Sequence, residues 1–129
     1  MQKEQIPIPT DAELEILQVL WQNGPSTVRF VNEELNKKKE VGYTTTLKFM
    51  QIMMEKNIVT RNDEARTHIY SSNISEDYAQ KKLLNKFLDA TFRGSAMKLV
   101  MQALGSHKTS AEELNQIKKL IDQIEGGKQ

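Results

Sequence analysis

Three short amphipathic segments parted by brief turns, two β-favouring runs directly after them, and purely helical spacing from Ser75 onward predict a mainly α chain. The expected architecture is a winged helix-turn-helix N-terminal domain over residues 1–74, followed by a C-terminal α-helical dimerisation region over residues 75–129. A length of 129 residues suits that division: one small domain plus an appendage rather than two large cores.

The first helix opens at Pro9-Thr10-Asp11-Ala12-Glu13, where Thr10 caps the free amides and Glu13 completes a capping box. It runs to about Gln22 with Leu14, Leu17, Leu20 and Trp21 at core spacing, and Gly24-Pro25 stop it. Ser26 is the expected cap of a second, shorter helix that reaches Leu35 and buries Val28, Val31 and Leu35, while Phe30 falls off that stripe. A lysine-rich connection leads to a third helix, GYTTTLKFMQIMMEKN over residues 42–57, in which Asn57 is suited to the left-handed position at the end. At 3.6 residues per turn this helix sets Thr46, Phe49, Met50 and Met53 on one side. Thr44, Lys48 and Gln51 come out on the other, with Thr45 and Ile52 at the flank.

Ile58-Val59-Thr60-Arg61 and Thr67-His68-Ile69-Tyr70 read as the strands of a hairpin, because Asn62 and Asp63 between them tolerate a tight turn. In the tail, Ser75, Ser95 and Ser110 are helix caps, the last with Glu113 as a second capping box, and Gly94, Gly105 and Gly126-Gly127 are stops. Three helices of this size, with apolar positions on more than one side, make a marginal core by themselves. Their most favourable burial is against a second copy, so a twofold homodimer is expected. Leu84, Phe87, Leu88, Leu99, Val100, Leu104, Leu114, Ile117 and Ile121 are the expected dimer contacts.

The net charge of +1 selects no partner, and residues 1–74 carry nine Lys/Arg against ten Asp/Glu, which weighs against nucleic acid. The segment 37–70 is locally +3, however, and a helix-turn-helix needs a basic face rather than a basic total. No apolar run approaches a membrane span, so no membrane insertion is expected, and the start MQKEQIPIPT lacks a signal-peptide centre. The absence of cysteine suits a cytoplasmic chain and removes thiolate metal ligands. His68 and His107 lie in different segments and make no recognisable metal site, and Met50, Met53 and Met54 read as core filler. No cofactor is expected, and with no phosphate loop, nucleophile elbow or paired carboxylates in a recognisable setting, no catalytic residue either.

What the pattern does offer is a helix opening with hydroxyls and a long cation. Thr44, Thr45 and Lys48 are candidates for phosphate and base-edge contacts in a DNA major groove, and Gln51, one turn on, for reading adenine. Arg61, Arg66 and His68 on the hairpin are candidates for sugar-phosphate contacts. Helix capping by the threonines and a charged edge strand are the plainer alternatives, and a winged-helix module that binds protein through the same face is the alternative function.

Four motifs in order carry a likeness: Leu14-Glu15-Ile16-Leu17 with Leu20-Trp21, Tyr43-Thr44-Thr45-Thr46-Leu47-Lys48, Arg66-Thr67-His68-Ile69-Tyr70, and Phe92-Arg93-Gly94-Ser95-Ala96 with Leu99-Val100. Together they resemble the BlaI/MecI/CopY family of penicillinase-repressor regulators. The resemblance implies a dimeric repressor on a palindromic double-stranded DNA operator. It also implies release through a membrane sensor protease that triggers cleavage in the C-terminal helices or, in the copper-responsive branch, through metal at a cysteine motif. Without cysteine the copper-type switch does not carry over. The family's cleaved Asn-Phe pair falls near Gln102-Ala103, where neither residue matches, and Asn57 stands where the family usually has glycine.

Overall fold

The computed structural model describes residues 6–64 and 66–127. The chain divides into two compact units, one ending at Leu84 and one beginning at Asn85.

The first unit is a trihelical head with a hairpin. Helix α1 (Asp11–Asn23) starts with the expected reciprocal box: the Glu13 amide donates to Thr10 Oγ1 and the Thr10 amide donates to Glu13 Oε1. It ends at Gly24, whose φ of 83° is open to a residue without a Cβ. Its buried residues are Glu13, Ile16, Leu17, Val19 and Leu20, whereas Leu14 and Trp21 are only partly covered. The Trp21 indole instead donates to Ser72 Oγ at 3.1 Å and Ile74 O at 3.0 Å, pinning α1 to the far end of the hairpin.

Helix α2 (Val28–Asn36) is capped by Thr27, not Ser26. Ser26 is taken by a different task, since its N–H and C=O pair with the C=O and N–H of Tyr70 in an antiparallel bridge. Val28 and Val31 are buried, and Phe30, off the helical stripe, is half-buried against the core. Helix α3 (Tyr43–Glu55) buries Thr46, Met50 and Met53 completely. Asn57 then turns the chain at φ 67°, the left-handed conformation that asparagine tolerates better than most residues.

Strands β1 (Val59–Asn62) and β2 (Ile69–Ser72) pair antiparallel with Arg61 opposite Tyr70. The second strand lies two residues later than alternation suggested because Tyr70 must face both β1 and Ser26. Ala65, in the connecting turn, lies outside the described residues. The head core gathers residues from all five elements with Ile58, Ile74 and Ala79, so the first turns of α4 (Glu76–Phe92) belong to it.

The second unit holds the rest of α4, then α5 (Ala96–Ser106) and α6 (Ala111–Gly126). Arg93 at φ 51° and Gly94 at φ 81° make the break after α4, and Ser95 caps α5. Gly105 does not stop α5, which continues through Ser106 before His107 becomes extended. Ser110 and Glu113 form the expected box at the start of α6. Among the described residues of this unit none is buried.

Candidate nucleic-acid interface

The front of α3 combines unsatisfied backbone donors with exposed side chains. Its N-cap is Gly42, which supplies no side-chain cap, and the first amide to bond back is that of Thr46, to Gly42 O at 3.2 Å. The earlier amides of the helix, at its positive end, therefore face outward uncapped. Thr44 and Thr45 are exposed and do not cap, so their hydroxyls are free to meet a ligand. Lys48 and Gln51 are exposed one turn further along, and among the described residues Lys48 has no ion-pair partner. Thr44, Lys48 and Gln51 share one face, with Thr45 at its flank, because Thr46, Met50 and Met53 are consumed by the core on the other.

Two asparagines that spacing gave no reason to single out hold this helix in place. Asn32 on α2 donates from Nδ2 to Thr46 Oγ1 at 2.9 Å and to Val41 O at 3.0 Å. Asn36 clamps the same Val41 from both sides, donating to its C=O at 2.9 Å and accepting from its N–H at 3.1 Å. The turn before α3 is thus fixed by side-chain amides acting as substitute backbone. Tyr43, the first residue of α3, is half-exposed beside Thr44 and was also absent from the sequence-based candidates.

The hairpin divides its three candidates. Arg61 is turned to its own strand end: Nε lies 2.6 Å from Asp63 Oδ1, and the side chain is 23% exposed. Its guanidinium is held above its ordinary pKa first by the hydrogen bond to Asp63 and then by Tyr70. His68 shares Asp63 at 3.7 Å, an attraction that exists only when the imidazole is protonated. Arg66 is exposed in the connecting turn with no ion pair among the described residues. The hairpin therefore offers Arg66 to a phosphate most freely, while Asp63 offsets much of the charge of Arg61.

The expected dimer residues are uncovered in the second unit. Phe87, Val100 and Ile121 are each about half-exposed, Leu104 and Leu114 slightly less, and Leu88, Leu99 and Ile117 are partly covered. Leu84, at the end of the first unit, is also about half-exposed. Met97 and Met101, not among the expected contacts, are the most exposed of all and continue the Val100 and Leu104 face at helical spacing. Among the described residues no cluster of His, Asp or Glu could hold a metal, and no helix is long and apolar enough to cross a membrane.

Residues 9–123 match the sequence model of a family described as "Penicillinase repressor". The chain is 27% identical over 121 residues to the penicillinase repressor of Bacillus licheniformis, spanning 93% of this chain and 94% of that one. It is 26% identical over 122 residues to the transcriptional regulator BlaI of Mycobacterium tuberculosis, spanning 91% and 85%. Its fold is similar to the solution structure of the DNA-binding domain of the repressor BlaI, with a TM-score of 0.51 and 28% identity, over 57% of this chain and 90% of that one.

Proposed function

The chain belongs to the penicillinase repressor family, whose members are transcriptional repressors rather than enzymes, and on that premise we propose how it represses. It binds double-stranded DNA as a homodimer, with two copies of α3 in successive major grooves of an inverted-repeat operator. Residues 1–74 read the DNA, and residues 75–129 hold the two copies together. Half-sites then lie about 10 base pairs apart centre to centre, or a small multiple of that. Occupying the promoter is enough to repress, so no chemistry is asked of the protein.

The observation that carries this reading is the exposure of Thr44, Thr45, Lys48 and Gln51 on an uncapped helix opening whose other face is sealed in the core. Helix-start amides and hydroxyls bind phosphate, lysine reaches phosphate or guanine, and glutamine presents donors to adenine. Arg61, Arg66 and His68 add phosphate contacts from the hairpin, Arg66 foremost. Family likeness supports release by a signal-dependent switch such as proteolysis in the C-terminal helices, triggered through a membrane sensor protease, at a bond other than the family's Asn-Phe pair, which Gln102-Ala103 does not match; the repressor works in the cytoplasm.

The negative total charge of residues 1–74 favours a competing reading, a module that binds protein through the same face. Fluorescence anisotropy against salt separates the two. A DNA binder that neutralises Z phosphates loses affinity with a log–log slope near −0.9Z. Lys48→Ala removes one cation from each of two heads, so the slope should become shallower by about 2 while the dimer persists. A flat salt dependence for the unaltered chain would support the protein-binding reading instead.

A further inference from the structure

The head contains a cavity of about 410 Å³ on the side of α3 away from Lys48, within the range of small-molecule sites. Its apolar lining comes from Ile16 and Val19 on α1, Leu35 at the end of α2, Val41 in the turn, and Phe49 on α3. Ile16 and Val19 are almost wholly buried, so the floor is closed, while Leu35, Val41 and Phe49 are partly buried walls. The backbone behind two of these walls is held in place: Val41 is clamped by Asn32 and Asn36, and the amides of Lys38 and Lys39 both donate to Leu35 O, at 3.1 and 3.2 Å. A ligand entering such a site gives up little of its binding energy to ordering the protein.

The rim sets the charge of the occupant. Glu15, Glu34, Lys38 and Lys39 line it, but Glu34 is already paired with Lys37 at 2.8 Å. Lys38 and Lys39 have no ion-pair partner among the described residues, and against them stands only Glu15. The remaining balance is one positive charge over a hydrophobic floor. We propose that this cavity binds a small aromatic or branched apolar molecule carrying one anionic group, its body against Val19, Val41 and Phe49 and its acid between Lys38 and Lys39. The site goes beyond repression: it uses the face of α3 that DNA recognition leaves free, and it makes the head a receptor as well as a reader.

The test is a titration of the full chain, followed by amide chemical shifts, with 1-naphthoate and with its neutral counterpart 1-naphthalenemethanol. Saturable shifts at Ala12, Val19, Val41 and Phe49 are expected with the acid, and about tenfold weaker binding of the alcohol. The double variant Lys38→Gln/Lys39→Gln, altered only at exposed positions, should bind the two compounds alike. Ala12 also lines the cavity, and Ala12→Leu, which fills part of it, should weaken both. Absence of saturable shifts, equal affinity of the unaltered chain for acid and alcohol, or shifts confined to α5 and α6 would each overturn the proposal. Because the readout contains no DNA, failure here leaves the repressor reading untouched, and failure of DNA binding leaves this site untouched.

Discussion

Glu13 shows how much one residue of this fold carries. Its Oε1 accepts the Thr10 amide at 3.0 Å, its Oε2 receives the Lys56 ammonium at 2.7 Å, and the side chain is 2% exposed. The spacing Thr10-x-x-Glu13 made the cap legible, since a capping box is local. The lysine 43 residues away was not, because nothing in a single chain says that the start of α1 meets the end of α3. Replacing Lys56 by methionine leaves a buried carboxylate with only its capping bond, and removing one partner of such a pair costs about 3 kcal/mol. The urea midpoint should fall accordingly with the slope unchanged. A loss within about 0.5 kcal/mol, the range of ordinary surface changes, would mean that water reaches Glu13 in place of lysine.

At the scale of elements, the third helix was legible because its burial is periodic, and Thr46, Met50 and Met53 fall inside as the 3.6-residue repeat requires. The helix ends were legible where one residue type decides them: Asn57 takes φ 67°, and Ser95 and Ser110 cap. They were illegible where two neighbours have equal claims, as with Ser26 and Thr27, because the choice was made by a strand partner, Tyr70, far along the chain. Gly105 misled for a related reason: a glycine permits a stop without compelling one, and the His107 amide still bonds back to Ala103 O. The angle at which α3 is presented rests on Asn32. Asn32→Ala should cost about 1 kcal/mol through its two lost amide hydrogen bonds, because the Thr46 hydroxyl still donates to Gly42 O and Val41 O still accepts from Asn36. It should also weaken DNA binding although Asn32 lies behind the proposed contact face. Unchanged stability and unchanged DNA affinity would show that packing alone sets the helix.

For the whole molecule, the division of labour follows from burial. The head closes a core around Leu17, Met50, Ile58 and Tyr70, while the second unit leaves Phe87, Met97, Val100, Met101, Leu104 and Ile121 in solvent. A set of that size left uncovered is a strong reason to expect a partner. The amphipathic spacing of the tail made its helices legible, but spacing cannot say which apolar positions meet a neighbour within the chain and which a second copy. Met97 and Met101 are exposed positions of this kind, which spacing alone does not single out. Val100→Asp, at a half-exposed position, should yield a folded monomer at micromolar concentration in sedimentation equilibrium and reduce DNA binding severely, because one head alone spans a single half-site. A variant that remains dimeric would place the interface elsewhere.

The central claim, that α3 reads a duplex in duplicate, is tested most directly by selection of the full chain against a pool of random-sequence duplexes. The expected result is enrichment of an inverted repeat with half-sites about one helical turn apart, or a small multiple, and loss or change of that consensus with Lys48→Ala. Selection that enriches no sequence, or that returns the same consensus and affinity with Lys48→Ala, would contradict it.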